Sequence, residues 1–162
     1  MADVGSVPMS DPLAYFLTWT TYGTWLPGDE RGWVKVGEGF QLPDFKVEHE
    51  ARRKLNESPC ILDNSRREIV EATIRKHCEI RKWELHALAC RTNHVHVVVS
   101  APVGPDVVME QLKAWGTRRL NEEQVRRGEP TREDWWTEKG SKRFLNDEAS
   151  LEAAVVYVTE GQ

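Results

Sequence analysis

The chain is short of several things, and each shortage narrows what it can be. Its three cysteines, Cys60, Cys78 and Cys90, are far apart, odd in number and form no CxxC. That argues against a disulfide framework or a zinc site and fits a reducing cytoplasm, the expected location. No apolar run approaches the roughly 20 residues needed to span a bilayer, so no membrane partner is expected. The opening "MADVGSVPMS" has neither the basic start nor the long apolar stretch of a signal peptide. It reads as part of a flexible N-terminal tail over residues 1–12, ahead of a single domain over 13–162. Positive charge is not in excess: 22 Lys and Arg stand against 26 Asp and Glu, a net charge of −4. This argues against a large sequence-blind nucleic-acid binder, which needs clustered cations to neutralise phosphates. Tyrosine is scarce too, with three in the chain. There is no internal repeat and no low-complexity segment.

What is present suits one globular domain. Apolar residues make up 40% and charged residues 30% of 162 positions, enough for a packed core with a solvated surface. Cations gather locally, in residues 51–54, 118–127 and 138–143. Residues 14–22 are aromatic and β-branched and predict a strand, followed by a loop that reaches a Pro-Gly-Asp turn at 27–29. The stretch 31–59 shows little periodicity and predicts a long excursion with one short helix near 46–55. Residues 63–83 repeat apolar positions at spacings of three and four, a helix with Asn64 or Ser65 as cap and Glu68 completing a capping box. Residues 84–92 and 94–102 predict a hairpin turning at Arg91–Asn93. A second helix follows over 104–128, with Val108, Leu112, Trp115 and Leu120 as its buried side. Residues 134–147 read as a short strand pair turning at Lys139–Gly140, and 147–162 as a last helix. The sum is an α+β fold, a ferredoxin-like or RRM-like antiparallel sheet with helices packed on one face.

Within it, "RTNHVHVVVSAP" (91–102) carries a His-Val-His triplet. Strand side chains alternate, so His94 and His96 share one face and Val95, Val97 and Val99 the other. Two imidazoles side by side are a wet polar patch or half of a metal site. Two imidazoles plus one oxygen donor, with positions left for substrate and water, suit Mg²⁺ or Mn²⁺ over a phosphate. Histidine-triad nucleotide hydrolases carry a third histidine where this chain has Val98. His49, His77 and His86 lack the hydroxyl two residues on that a two-histidine phosphodiesterase would show. A phenol can form a covalent phosphoryl intermediate. Tyr15 and Tyr22 read as strand aromatics. Tyr157 lies in the last helix with Glu160 three residues on, on a shared face; the bland reading of Tyr157 is a boundary residue of the core.

Together these pieces resemble a known family. The His-apolar-His strand with its preceding Asn93 and the downstream helical tyrosine are similar to those of single-tyrosine HUH transposases, above all the REP-associated tyrosine transposases. The blocks "FLTWTTYGTWLPGDERGWV" (16–34), "WELHALACRTNHVHVVVSAP" (83–102) and "LEAAVVYVTEGQ" (151–162) carry the resemblance. It implies an HUH endonuclease fold that nicks and rejoins single-stranded or hairpin DNA as a monomer or homodimer. Tyr157 would be the nucleophile, forming a 5′-phosphotyrosine. His94 and His96 would hold Mg²⁺ or Mn²⁺. The family places its third ligand four residues past the tyrosine, where this chain has Gly161; Glu160 is the nearest carboxylate. Lys113, Arg118, Arg119, Lys139, Lys142 and Arg143 would follow the DNA backbone. Exposed tryptophans could stack unpaired bases. Two other readings predict different behaviour: a non-catalytic DNA- or RNA-binding module on the same fold, and a small-nucleotide phosphodiesterase that forms no protein–DNA adduct.

Overall fold

A computed structural model of the chain describes residues 11–160. Most of the expected tail, and Gly161 and Gln162, lie outside them. The centre is a four-stranded antiparallel sheet in the order β4-β5-β1-β6, built from β1 (Ala14–Thr20), β4 (Glu84–Cys90), β5 (His94–Ser100) and β6 (Ser141–Leu145). The two inner strands are buried and apolar on both faces over Ala14–Leu17 and Val97–Val99. Tyr15, Leu17 and Trp19 of β1 and Val95, Val97 and Val99 of β5 face one way. They pack against Val70, Ile74 and Cys78 of α2 (Asn64–Arg81) and Val108, Met109, Leu112 and Leu120 of α3 (Pro105–Arg126). The α+β expectation, with two helices on one face, holds for α2 and α3. The other face is covered as well. Ala154 and Val158 of α4 (Glu148–Glu160) close over Ala14, Phe16, Ala87, Ala89, Val98 and Leu145.

Three local details differ from the sequence expectation. The cap of α2 is Asp63, whose Oδ1 accepts the Arg66 N–H at 2.9 Å, rather than Asn64 or Ser65. Asp63 is extended, at φ −76° and ψ 174°, which puts its carboxylate three residues ahead of that amide. Strand β4 breaks its alternation between Leu85 and Ala87. This bulge lets both Leu85 and Leu88 face α2 and α3, while the small Ala87 and Ala89 face α4. The expected strand pair over 134–147 is not a hairpin. Both halves run along the free edge of β1 instead: Tyr22 and Thr137 donate to the carbonyls of Trp135 and Thr20, and β6 pairs with Ala14–Thr18. Gly140 is the step between them, where a Cβ would lie 2.6 Å from the Thr18 carbonyl oxygen. Trp135 and Trp136 are buried in the main core, which pulls this segment down onto β1 and away from a solvent-facing hairpin.

The excursion after β1 carries the predicted short helix, α1 (Phe45–Arg53), and one element that its weak periodicity concealed. This is a two-stranded ribbon of β2 (Trp33–Lys35) and β3 (Gly39–Gln41). No helix of the described residues is long and apolar enough to cross a membrane.

Candidate functional site

The register of β1 against β5 sets the site. Thr18 stands opposite His96 and Thr20 opposite His94, so two hydroxyls and two imidazoles share the face that α4 partly covers. The histidine rings meet edge to face, with centroids 4.7 Å apart. His94 is half-buried and His96 buried. Each ring is fixed through Nδ1. His94 donates from Nδ1 to Asn93 Oδ1 at 2.8 Å, since that amide oxygen can only accept. His96 Nδ1 lies 2.8 Å from Thr18 Oγ1. The Nδ1 proton of His94 leaves its Nε2 as the ring atom that could hold a metal, whereas the Thr18 hydroxyl can donate or accept and so fits either tautomer of His96.

Helix α4 brings the phenol. Asp147 Oδ1 accepts the Ser150 N–H at 2.7 Å and starts the helix, and Ala154 and Val158 seat it on the sheet. Tyr157 lies beside that seat and is 48% exposed, so a substrate can reach it. Its ring centroid is 5.6 Å from that of His96 and 5.9 Å from that of Phe16. Tyr157, 61 residues beyond His96 in sequence, therefore forms one cluster with His96 and His94. Glu160 is exposed at the end of α4. Among the described residues no three His, Cys, Asp or Glu side chains converge to hold an ion. Gly161 lies outside the described residues.

The predicted DNA contacts divide. Arg143 is on the site face, its guanidinium 5.7 Å above the ring of Phe16. Lys139 is exposed beside Gly140. Lys142 points to the opposite face, where it pairs with Asp106 of α3 at 2.6 Å. Lys113 has an internal task. Its Nζ donates to the carbonyls of Thr137, Glu138 and Lys139 at 2.8, 3.3 and 3.2 Å, tying α3 to the segment before β6. Burial, with the charge of Lys142, pushes its ammonium down to about 8. Arg118 and Arg119 lie over Trp115 on α3, at 4.4 and 5.4 Å, in the layer across the sheet from the histidines. Sequence reasoning missed Thr18 and Phe16. The alternation of "FLTWT" places both on one face of a strand, but only the pairing register puts Thr18 beside His96.

Fold and site together define the class: an α+β domain that gathers a strand-borne histidine pair and a helical tyrosine on one face of an antiparallel sheet. The model of the IS200-like transposase family matches residues 54–160, and the chain belongs to that family. The matched span holds both histidines and Tyr157, while β1, the β2–β3 ribbon and α1 precede it. No curated protein matches the chain. Among solved structures it is similar to a REP-associated tyrosine transposase bound to a REP hairpin. That likeness has a TM-score of 0.55 at 12% identity over 98% of this chain and 70% of the other, and is one of fold. A candidate transposase from Deinococcus radiodurans R1 aligns at TM-score 0.45 and 18% identity, over 94% of this chain and 92% of the other.

Proposed function

We propose that this transposase cuts and rejoins single-stranded DNA at a hairpin through a covalent bond to Tyr157. The observation that carries the reading is the cluster itself: the phenol beside His96, which meets His94. The Tyr157 oxygen attacks the phosphorus, the bond to the 3′ oxygen breaks, and that oxygen leaves as a 3′-hydroxyl. A 5′-phosphotyrosine stores the bond energy, so attack by another 3′-hydroxyl rejoins strands and restores the phenol. The protein supplies position and field. Helix α4 holds the nucleophile over the inner strands β1 and β5, and Arg143 offers charge to the backbone from the same face. A divalent ion, Mg²⁺ or Mn²⁺, would stabilise charge on the phosphate and orient it. His94 and His96 fit that group, because both rings are fixed by side-chain oxygens at Nδ1. Glu160 is the carboxylate on the tyrosine's own helix turn that would complete the set.

The experiment is a denaturing-gel assay with labelled hairpins from beside the gene, with and without Mg²⁺ or Mn²⁺. A metal-dependent covalent adduct is expected with wild type and absent with Tyr157→Phe and His94→Ala. The binding-module alternative is favoured by one fact, that no three-donor group is assembled among the described residues. It would stand if wild type and both variants shift DNA alike on a native gel and none forms an adduct.

A further inference from the structure

Beside the histidines an open cleft of about 410 Å³ lies between β1, the β2–β3 ribbon and the start of β6. Such a volume is typical of small-ligand sites. Its walls are Trp25, Trp33 and Phe40, and its inner edge carries the hydroxyl-bearing Thr18, Thr20 and Ser141. Trp25 is 43% and Phe40 67% exposed, large apolar rings left open to water.

The rings are nonetheless held in place. Trp25 Nε1 donates to the Gly32 carbonyl at 2.8 Å, and Trp33 Nε1 to the Leu42 carbonyl at 3.1 Å. The Arg31 guanidinium lies 4.1 Å over Trp25 and is pinned by the buried Asp29. The ring of Phe40 rests on Gly32, at φ +87°, where a Cβ would come within 2.2 Å of it. Preorganised rings facing an empty cleft are stacking platforms, whose ordering cost is already met in the free protein.

The cleft is continuous with the reactive face. Thr18, on its edge, is the residue bonded to His96. Lys139 stands exposed at the rim beside Gly140, and Arg143 follows on the reactive face. The occupant that matches flat apolar walls, a hydroxyl-lined edge and cations toward the reactive centre is a nucleobase attached to a phosphate backbone. We infer that the cleft takes an unpaired base of the strand being cut, a nucleotide or a few from the phosphate that Tyr157 attacks. The inference rests on the proposed nicking reaction for its substrate.

The test is fluorescence anisotropy with a labelled hairpin oligonucleotide carrying single-stranded flanks, on a Tyr157→Phe background that cannot cut. Abasic residues are walked along the flanks. One abasic position is expected to weaken binding about 5- to 150-fold, the range of one lost base–aromatic stack. Trp25→Ala and Phe40→Ala should each weaken the intact flank similarly and make that abasic position silent. Trp25→Phe, which keeps a ring, should bind nearly as wild type and shows that the fold tolerates change there. Alanine variants that bind within twofold of their parent overturn the cleft. So does an alanine loss of equal size whatever base is removed, or a Trp25-dependent dimer without DNA, in which a second copy fills the space. The gel assay separates the two ideas. An adduct with no abasic effect leaves nicking standing without the cleft, and base-dependent binding with no adduct leaves the cleft without nicking.

Discussion

Thr18 shows what one hydroxyl can decide. Its Oγ1, 2.8 Å from His96 Nδ1, holds the ring angle. Thr18→Val keeps the β-branched shape that a strand prefers and removes only that hydrogen bond. Losing such a support behind a metal ligand typically costs 10- to 100-fold in affinity or activity. Mn²⁺ titration of the variant should show a weakening of about that size, with the sheet intact by circular dichroism. Unchanged Mn²⁺ binding would mean that Thr18 only packs. The histidine pair was readable because a strand alternates with a period of two, so residues 94 and 96 share a face in any strand. The role of Thr18 was not, because it comes from a register between strands 78 residues apart. The same distinction separates the cations. Arg143 and Lys142 are neighbours in sequence, yet alternation sends one to the histidine-bearing face and the other to Asp106.

Among the elements, α4 is the one whose docking places Tyr157, the proposed nucleophile. Val158 is fully buried against the sheet and follows Tyr157 directly. Val158→Ala leaves a small cavity under the helix and should cost about 2 kcal/mol of stability, measured by urea unfolding. A loosened seat misplaces the phenol, so the rate of adduct formation should fall by more than DNA affinity does. Equal losses in rate and affinity would show that α4 contributes binding rather than position. The helices α2, α3 and α4 were legible from apolar spacing, and the β4–β5 hairpin from its valine run and polar turn. Where sequence reasoning failed, tertiary partners outweighed local signals. The segment 135–145 has hairpin chemistry at Lys139–Gly140, but the unpaired edge of β1 offers both halves a ladder and the core accepts Trp135 and Trp136.

At the scale of the molecule, a sheet covered on both faces buries groups that titrate poorly. Burial pushes the Cys78 thiol up to about 11 and that of Cys90 to about 12, from 9.0 in an open chain. Below pH 9 native and unfolded chains both keep these protons. Between pH 9 and 11 the unfolded chain releases them and the native chain does not, so stability falls as pH rises. The slope is at most ~1.4 kcal/mol per pH unit for each thiol. Lys113 opposes this, because its native value of about 8 lies below 10.5 and so favours folding as pH rises through that interval. Two thiols outweigh one ammonium. The urea midpoint should therefore drop between pH 9 and 10.5, and Cys78→Ala combined with Cys90→Ala should remove the drop. A decline of the same steepness in that double variant would put its origin elsewhere.

By itself the sequence determined the local chemistry: where α2, α3, α4 and the β4–β5 hairpin run, which of their faces are apolar, that His94 and His96 share a side, and that Tyr157 is helical. These follow from periods of 2 and 3.6 residues, which need no knowledge of the rest of the chain. Only the tertiary structure decided what stands together. It placed α4 on the face opposite α2 and α3, brought Tyr157 to His96, gave Thr18 to the histidine, and turned Lys113 inward. It also set Trp25, Trp33 and Phe40 around one cleft. Register, packing and the competition of edges for partners arise between segments distant in sequence, and there the energy of contact, not local periodicity, makes the choice.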